Sequence, residues 1–305
     1  MEDAMKTIPR VCLFWIAIFA PSLLSCAPIV TLSNGMRVDS GTMTTYTDDA
    51  RNITYHTVKL VEEWSEPDVG LTVKKGTKVT YAEPDTLVSC TLARDFKDTV
   101  TGWIFPAESQ IDFHISGKPK IVFLKEDWTD PESGLVLKAG KRVGLYESAE
   151  VEYMTLAKEW KDTQRGLILK ADVEQHFSEN GAYEEIYLAS DWEIPGVGIT
   201  VAANEIVGFF PNGKIATFTL SRNWTNPNSG AIIAAGKPIY FYEDGNLRQY
   251  TLAEDHVFGN TGMVFKKGSV VTLNSDTSLQ KGTFARPWTD SKTGKRHDSD
   301  IEYTF

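Results

Sequence analysis

Apolar residues along this chain fall in short alternating runs, not in helical stripes. Val79/Tyr81, Ile111/Phe113, Val143/Leu145, Val207/Phe209 and Ile239/Phe241 are pairs two residues apart, the period of a strand with one buried face. After each pair comes a run that ends in leucine, such as "IATFTL" (215–220) or "LRQYTL" (247–252). Before each pair lies a shorter run, such as "LVLK" (135–138) or "LILK" (167–170). "PNGK" (211–214) and "EDGN" (243–246) separate the longer runs and carry the Asn-Gly and Asp-Gly signals of tight hairpins. The pattern predicts strands throughout.

The runs repeat with a fixed period of 32 residues. Leu60, Leu92, Leu124, Leu156, Leu188, Leu220 and Leu252, then Phe284, mark one slot. Four residues on stand Trp64, Phe96, Trp128, Trp160, Trp192, Trp224, His256 and Trp288, so that six of the chain's eight tryptophans share one slot. Ten residues after the anchor, all eight positions are glycine, from Gly70 to Gly294. A second turn follows, centred on Gly76, Gly140, Gly236 or Gly268 in four units and on Glu108, Asp172 or Asn204 in the others. Glycine, asparagine and aspartate tolerate the positive φ of such turns. Each unit therefore reads as a three-stranded antiparallel meander, closed by a loop of about ten residues that holds the Trp.

Seven full units fill 60–283, with partial units at 34–59 and 284–305. Atypical end units are what an array needs to cap its exposed core. The spacing never slips, which favours one β-repeat domain over 34–305. The fold class is all-β. Two architectures satisfy it: an open, elongated sheet or solenoid, and a propeller-like closed ring. Three strands per unit, where a propeller blade has four, favour the open array.

The chain opens differently. Lys6 and Arg10 precede an apolar run from Val11 to Leu24, about 14 residues long, the length of a signal-peptide core and shorter than the roughly 20 of a spanning helix. The run ends Leu23-Leu24-Ser25-Cys26, which resembles the lipobox of bacterial lipoproteins. That resemblance implies a signal peptide over 1–25, a lipid-bearing N-terminal Cys26, and a short tether over 26–33. Acyl chains on Cys26 would hold the protein on a membrane, since two chains anchor stably where one does not. The other reading is a plain secretory signal with Cys26 incidental. The repeats are similar to the β-hairpin repeats of spirochaetal outer-membrane lipoproteins, and more distantly to membrane-occupation-and-recognition-nexus repeats. This implies a cell-envelope location, an outer-membrane one in particular, and brings no catalytic residue with it.

Composition adds exclusions. Of the three cysteines, Cys12 would leave with the signal peptide and Cys26 would carry lipid, so Cys90 is the one free thiol left and neither an internal disulfide nor a four-cysteine zinc site forms. A net charge of −10 without a basic stripe argues against nucleic acid as a partner.

Candidate chemistry gathers around the Trp slot. Glu63, Asp95, Asp127, Glu159, Asp191 and Asp255 precede it, with Asn223 and Pro287 in the same column. Glu66, Asp98, Asp130, Asp162 and Asp290 follow two residues after it, with Asn226 in that column. Stacked carboxylates would gather Ca²⁺, which takes six to eight oxygens. The competing reading is that they cap turns through side-chain-to-backbone hydrogen bonds, and the absence of alternating calcium-loop spacing favours it. "DWEIPG" (191–196) and "DHVFGN" (255–260) lose the second acid and are the places to look for a specific site. The aromatic slot reads as packing; a carbohydrate-binding ladder would be interrupted at His256. Cys90 reads as a core residue. No histidine pair has metal spacing and no serine or cysteine stands as a nucleophile beside a base, so no catalytic residue, cofactor or metal is assigned. The expectation is a non-enzymatic, lipid-anchored envelope protein that offers its repeats to a protein or matrix partner. The alternatives are a periplasm-facing structural lipoprotein, a glycan-active enzyme and a Ca²⁺-binding protein.

Overall fold

The computed structural model describes residues 28–66, 70–83, 86–99, 102–131, 133–259 and 261–305, and among them every regular element is a β-strand. No helix among these residues is long and apolar enough to cross a membrane. Two compact units emerge. One takes the described residues up to Trp128 together with Ala139–Glu150, the other Thr129–Lys138 with Val151–Phe305.

In the first unit, Ile29–Thr31, Arg37–Asp48, Ile53–Leu60, Lys78–Ala82, Thr86–Thr91, Gln110–Phe113, Pro119–Phe123 and Arg142–Leu145 pair antiparallel, each with the next. In the second, ten strands from Val151–Thr155 to Glu302–Thr304 do the same. The array is open. Among the described residues Ile29–Thr31 pairs only with Arg37–Asp48, and Glu302–Thr304 only with Leu279–Thr283.

Each repeat gives two strands to this ladder, joined by the hairpins the sequence announces. Gly213 and Gly245 hold φ of 79° and 98° at their tips. A register shift follows at Gly208/Phe209 and Tyr240/Phe241, the bulge that accompanies a three-residue hairpin loop with a left-handed residue. The strand after the conserved glycine behaves differently from its neighbours. Thr72–Val73 pairs with Trp64–Ser65 rather than with Lys78–Ala82, and the same pairing recurs at Trp192–Glu193 with Thr200–Val201 and Trp224–Thr225 with Ile232–Ile233. The ten-residue loop is thus a small hairpin of its own. The turn centre explains the separation: Glu108, Asp172 and Asn204 hold φ of 70°, 66° and 64°, and this turn sends the chain out of the small hairpin into the ladder.

The core lies between the ladder and the small hairpins. Val79, Cys90, Ile111 and Val122 face inward in the first unit, and Ile186, Val207, Phe218 and Ile239 in the second, all 2% exposed or less. Single bridges tie six of the small hairpins to the anchor of the following repeat, as Val73 to Leu92, Leu169 to Leu188 and Ile233 to Leu252. The anchors are therefore shared between repeats, and Leu60, Leu92, Leu156 and Leu188 are fully buried. Gln175 stands in an otherwise apolar inward column, yet its amide donates to the Lys170 carbonyl at 2.9 Å and accepts the Tyr187 N–H at 2.8 Å. A buried polar side chain so paired incurs little desolvation cost.

Candidate functional site

The Trp slot couples consecutive repeats. Trp160, Trp192 and Trp288 donate their indole N–H to the carbonyls of Ser133, Arg165 and Thr261, each at 3.1 Å and 27 residues back. Trp64 reaches Asn34 at 3.1 Å across 30 residues, which accommodates the longer N-terminal unit. Every acceptor immediately precedes a positive-φ glycine, Gly134, Gly166, Gly262 or Gly35. The left-handed glycine turns that carbonyl toward the ring of the next repeat. His256 is too short for the same reach; its Nε2 is buried without a partner, and burial holds its pKa below the usual imidazole value.

The aspartates of the first acidic column cap the turn twelve residues later, whereas Glu63 accepts from Arg94. Asp95, Asp127, Asp191 and Asp255 accept the backbone N–H of Ala107, Ala139, Ala203 and Lys267 at 2.7–2.9 Å. Asn223 accepts that of Ala235 at 2.8 Å. An amide oxygen serves as well as a carboxylate, so the column needs an acceptor and not a charge. Ser221 also bonds Asp191, and this contact, with the Ala203 N–H, lowers the Asp191 pKa.

The second column closes the small hairpins. Asp162 Oδ1 accepts the N–H groups of Gln164 and Arg165 at 2.8 and 3.1 Å, and Asp290 that of Lys292 at 2.9 Å. Asn226 again substitutes, accepting from Asn228 at 2.9 Å. In "DWEIPG" and "DHVFGN" the slot holds Ile194 and Phe258, whose backbone N–H groups still bond Ile199 and Met263 at 2.9 Å. Thr261 Oγ1 donates to the Phe258 carbonyl at 2.6 Å. The hairpin therefore survives on backbone bonds, and among the described residues neither departure assembles a polar cluster.

One turn acid is more elaborate. Asp162 Oδ2 accepts the Tyr183 hydroxyl at 2.7 Å and an Arg165 N–H at 3.2 Å, while the Arg165 guanidinium lies 4.7 Å from the Tyr183 ring centre. Burial opposes ionisation of Asp162, but the Tyr183 and Arg165 bonds outweigh it and lower its pKa. Burial and the same carboxylate raise that of Tyr183. Every polar atom named here has a partner, which makes the cluster a structural clasp.

Cys90 lies in the core at 1% exposure, and burial, reinforced by the Asp112 charge, pushes its thiol up to about 12; a thiol held protonated is no nucleophile. Among the described residues no three His, Cys, Asp or Glu side chains converge as a metal site would need. Cys26 lies outside the described residues. Scanned against models of known families, the chain matches none, and no curated protein matches it.

Proposed function

We propose that this chain is a lipid-anchored protein of the cell envelope, held at the outer membrane through Cys26, whose β-repeats present a binding surface to a protein or matrix partner. The observation that carries the proposal is Leu23-Leu24-Ser25-Cys26 placed at the end of a 14-residue apolar run, directly ahead of the repeats. The repeat columns support it from the other side. Their acids cap turns and their rings peg loops, so the regular residues are committed to architecture, and repeat arrays bind through extended surfaces.

Cell fractionation combined with protease treatment of intact cells tests this. The expected result is a protein that sediments with membranes and is digested from outside. Recovery in the soluble fraction contradicts the anchor. A membrane-bound protein digested only after lysis contradicts the outward presentation and leaves the periplasm-facing alternative.

A further inference from the structure

Consecutive repeats share a recurring ion pair. Lys74 bonds Glu108, and Lys266 bonds Asp300, each across 34 residues. The lysine stands two residues before the turn centre of one repeat, and the acid is the turn centre of the next. Between the repeats anchored at Leu220 and Leu252 both members are missing, Ala234 standing for the lysine and Gly268 for the acid, as Ala202 and Gly236 do at the boundary before. At the later of these boundaries the surface opens into a cavity of about 320 Å³, bordered among others by Asn223, Ala234, Lys237, Leu252, Lys267 and Gly268.

The border is also positive, unlike its counterparts. Asn223 replaces the acid that caps the turn in the repeats on either side, Asp191 and Asp255. Lys237 stands where the flanking repeats have Glu205 and Ser269, and Lys267 where they have Ala235 and Ser299. Across these columns with Ala234 and Gly268, two lysines face no acid. The boundary before carries Asp191 and Glu205 with no lysine; the boundary after carries Asp255 and Asp300 against Lys266. Asn223 spends its Oδ1 on the Ala235 N–H at 2.8 Å, so its other polar atom is a donor where the flanking repeats have a carboxylate oxygen. Ala234, Leu252 and Ala253 supply an apolar wall. The nearest acids in sequence are Glu254, exposed beside Ala253, and Asp255, which accepts the Lys267 backbone N–H at 2.7 Å.

We propose that this cavity binds a small organic carboxylate the size of an acidic monosaccharide. Two ammonium groups and an amide donor suit a carboxylate through charge-assisted hydrogen bonds. The apolar wall and the volume favour an organic acid over an inorganic ion. The boundary before lacks the ion pair as well, so what sets this cavity apart is its charge: Asn223 stands for a structural acid, and Lys237 and Lys267 stand for neutral or acidic residues.

Titration calorimetry of the full chain at low ionic strength tests the site, with glucuronate as the probe and glucose and inorganic phosphate for comparison. Saturable binding of glucuronate is expected, with phosphate weaker and glucose silent. The Lys237→Glu/Lys267→Glu variant is expected to lose at least about tenfold in affinity. The Ala234→Lys/Gly268→Asp variant restores the ion pair and fills the cavity; it is expected to lose binding while keeping its unfolding midpoint, since Asp300 holds φ of 62° in the equivalent turn. No saturation at millimolar glucuronate, phosphate bound as tightly, glucose bound equally, or undiminished binding in either variant overturns the proposal.

Discussion

Asn223 holds the Ala235 N–H at 2.8 Å, the distance at which Asp127 holds that of Ala139. At the scale of one residue, that equivalence favours the turn cap, which needs an acceptor and not a charge. Asp127→Asn is expected to leave the urea midpoint nearly unchanged, whereas Asp127→Ala loses the cap, at a cost of about 1 kcal/mol. A midpoint that rises with Ca²⁺ in the wild type and not in Asp127→Asn would revive the metal reading.

The same residues set the response to acid. Asp162, Asp191 and Asp290 have folded pKa values below the ordinary carboxylate value, and in each the lowering comes from hydrogen bonds that outweigh burial. Their contribution is complete above the unfolded value of about 4 and is lost as pH falls through the depressed folded values. His256, lowered by burial, acts earlier: below about 6.5 the unfolded chain takes a proton that the folded one resists, so stability declines from there. Thermal melts across this range are expected to show both declines, and His256→Trp is expected to remove the first. A melting profile flat from neutral pH to about 4 in the wild type would contradict the assignment of His256.

At the scale of the element, the 32-residue period, the anchors, the positive-φ turn centres and the hairpin tips were all legible, because each is a residue type with one backbone requirement. The partner of the strand after the conserved glycine was not. A two-residue strand such as Thr72–Val73 carries no period, so nothing local tells whether it joins the ladder or folds back on the Trp. The role of the Trp was half legible: packing follows from its size, but its bond to the preceding repeat depends on a carbonyl turned by a glycine 26 residues earlier, as Gly166 turns that of Arg165 toward Trp192. Gln175 was invisible as a core residue, since its partners are backbone groups. Substitution separates the two roles of the ring. Trp192→Phe is expected to cost about 1 kcal/mol for the lost hydrogen bond, and Trp192→Ala about 3–5 kcal/mol for the lost ring, by urea denaturation. Equal losses would mean that the hydrogen bond, and not the packing, fixes the peg. Gly282 gives a tighter test of the core, because a Cβ there would stand 2.3 Å from Phe265. Gly282→Ala is therefore expected to cost about 1–3 kcal/mol by overpacking, and a neutral result would show the Phe265 ring free to move.

For the molecule as a whole, the regular columns explain the architecture so fully that function has to be sought where they fail or outside them. The Ala234/Gly268 cavity is the first kind of place. Its charge was readable in principle, as an acid lost at Asn223 and lysines gained at Lys237 and Lys267, but nothing in the sequence says that these positions border one cavity. Cys26 is the second kind, and the envelope assignment rests on it. The most direct test is metabolic labelling with a clickable fatty-acid analogue, comparing wild type with Cys26→Ala. The account predicts a labelled, membrane-bound wild type and an unlabelled variant released from membranes. Labelling that survives the substitution, or a wild type that takes up no label, would contradict it.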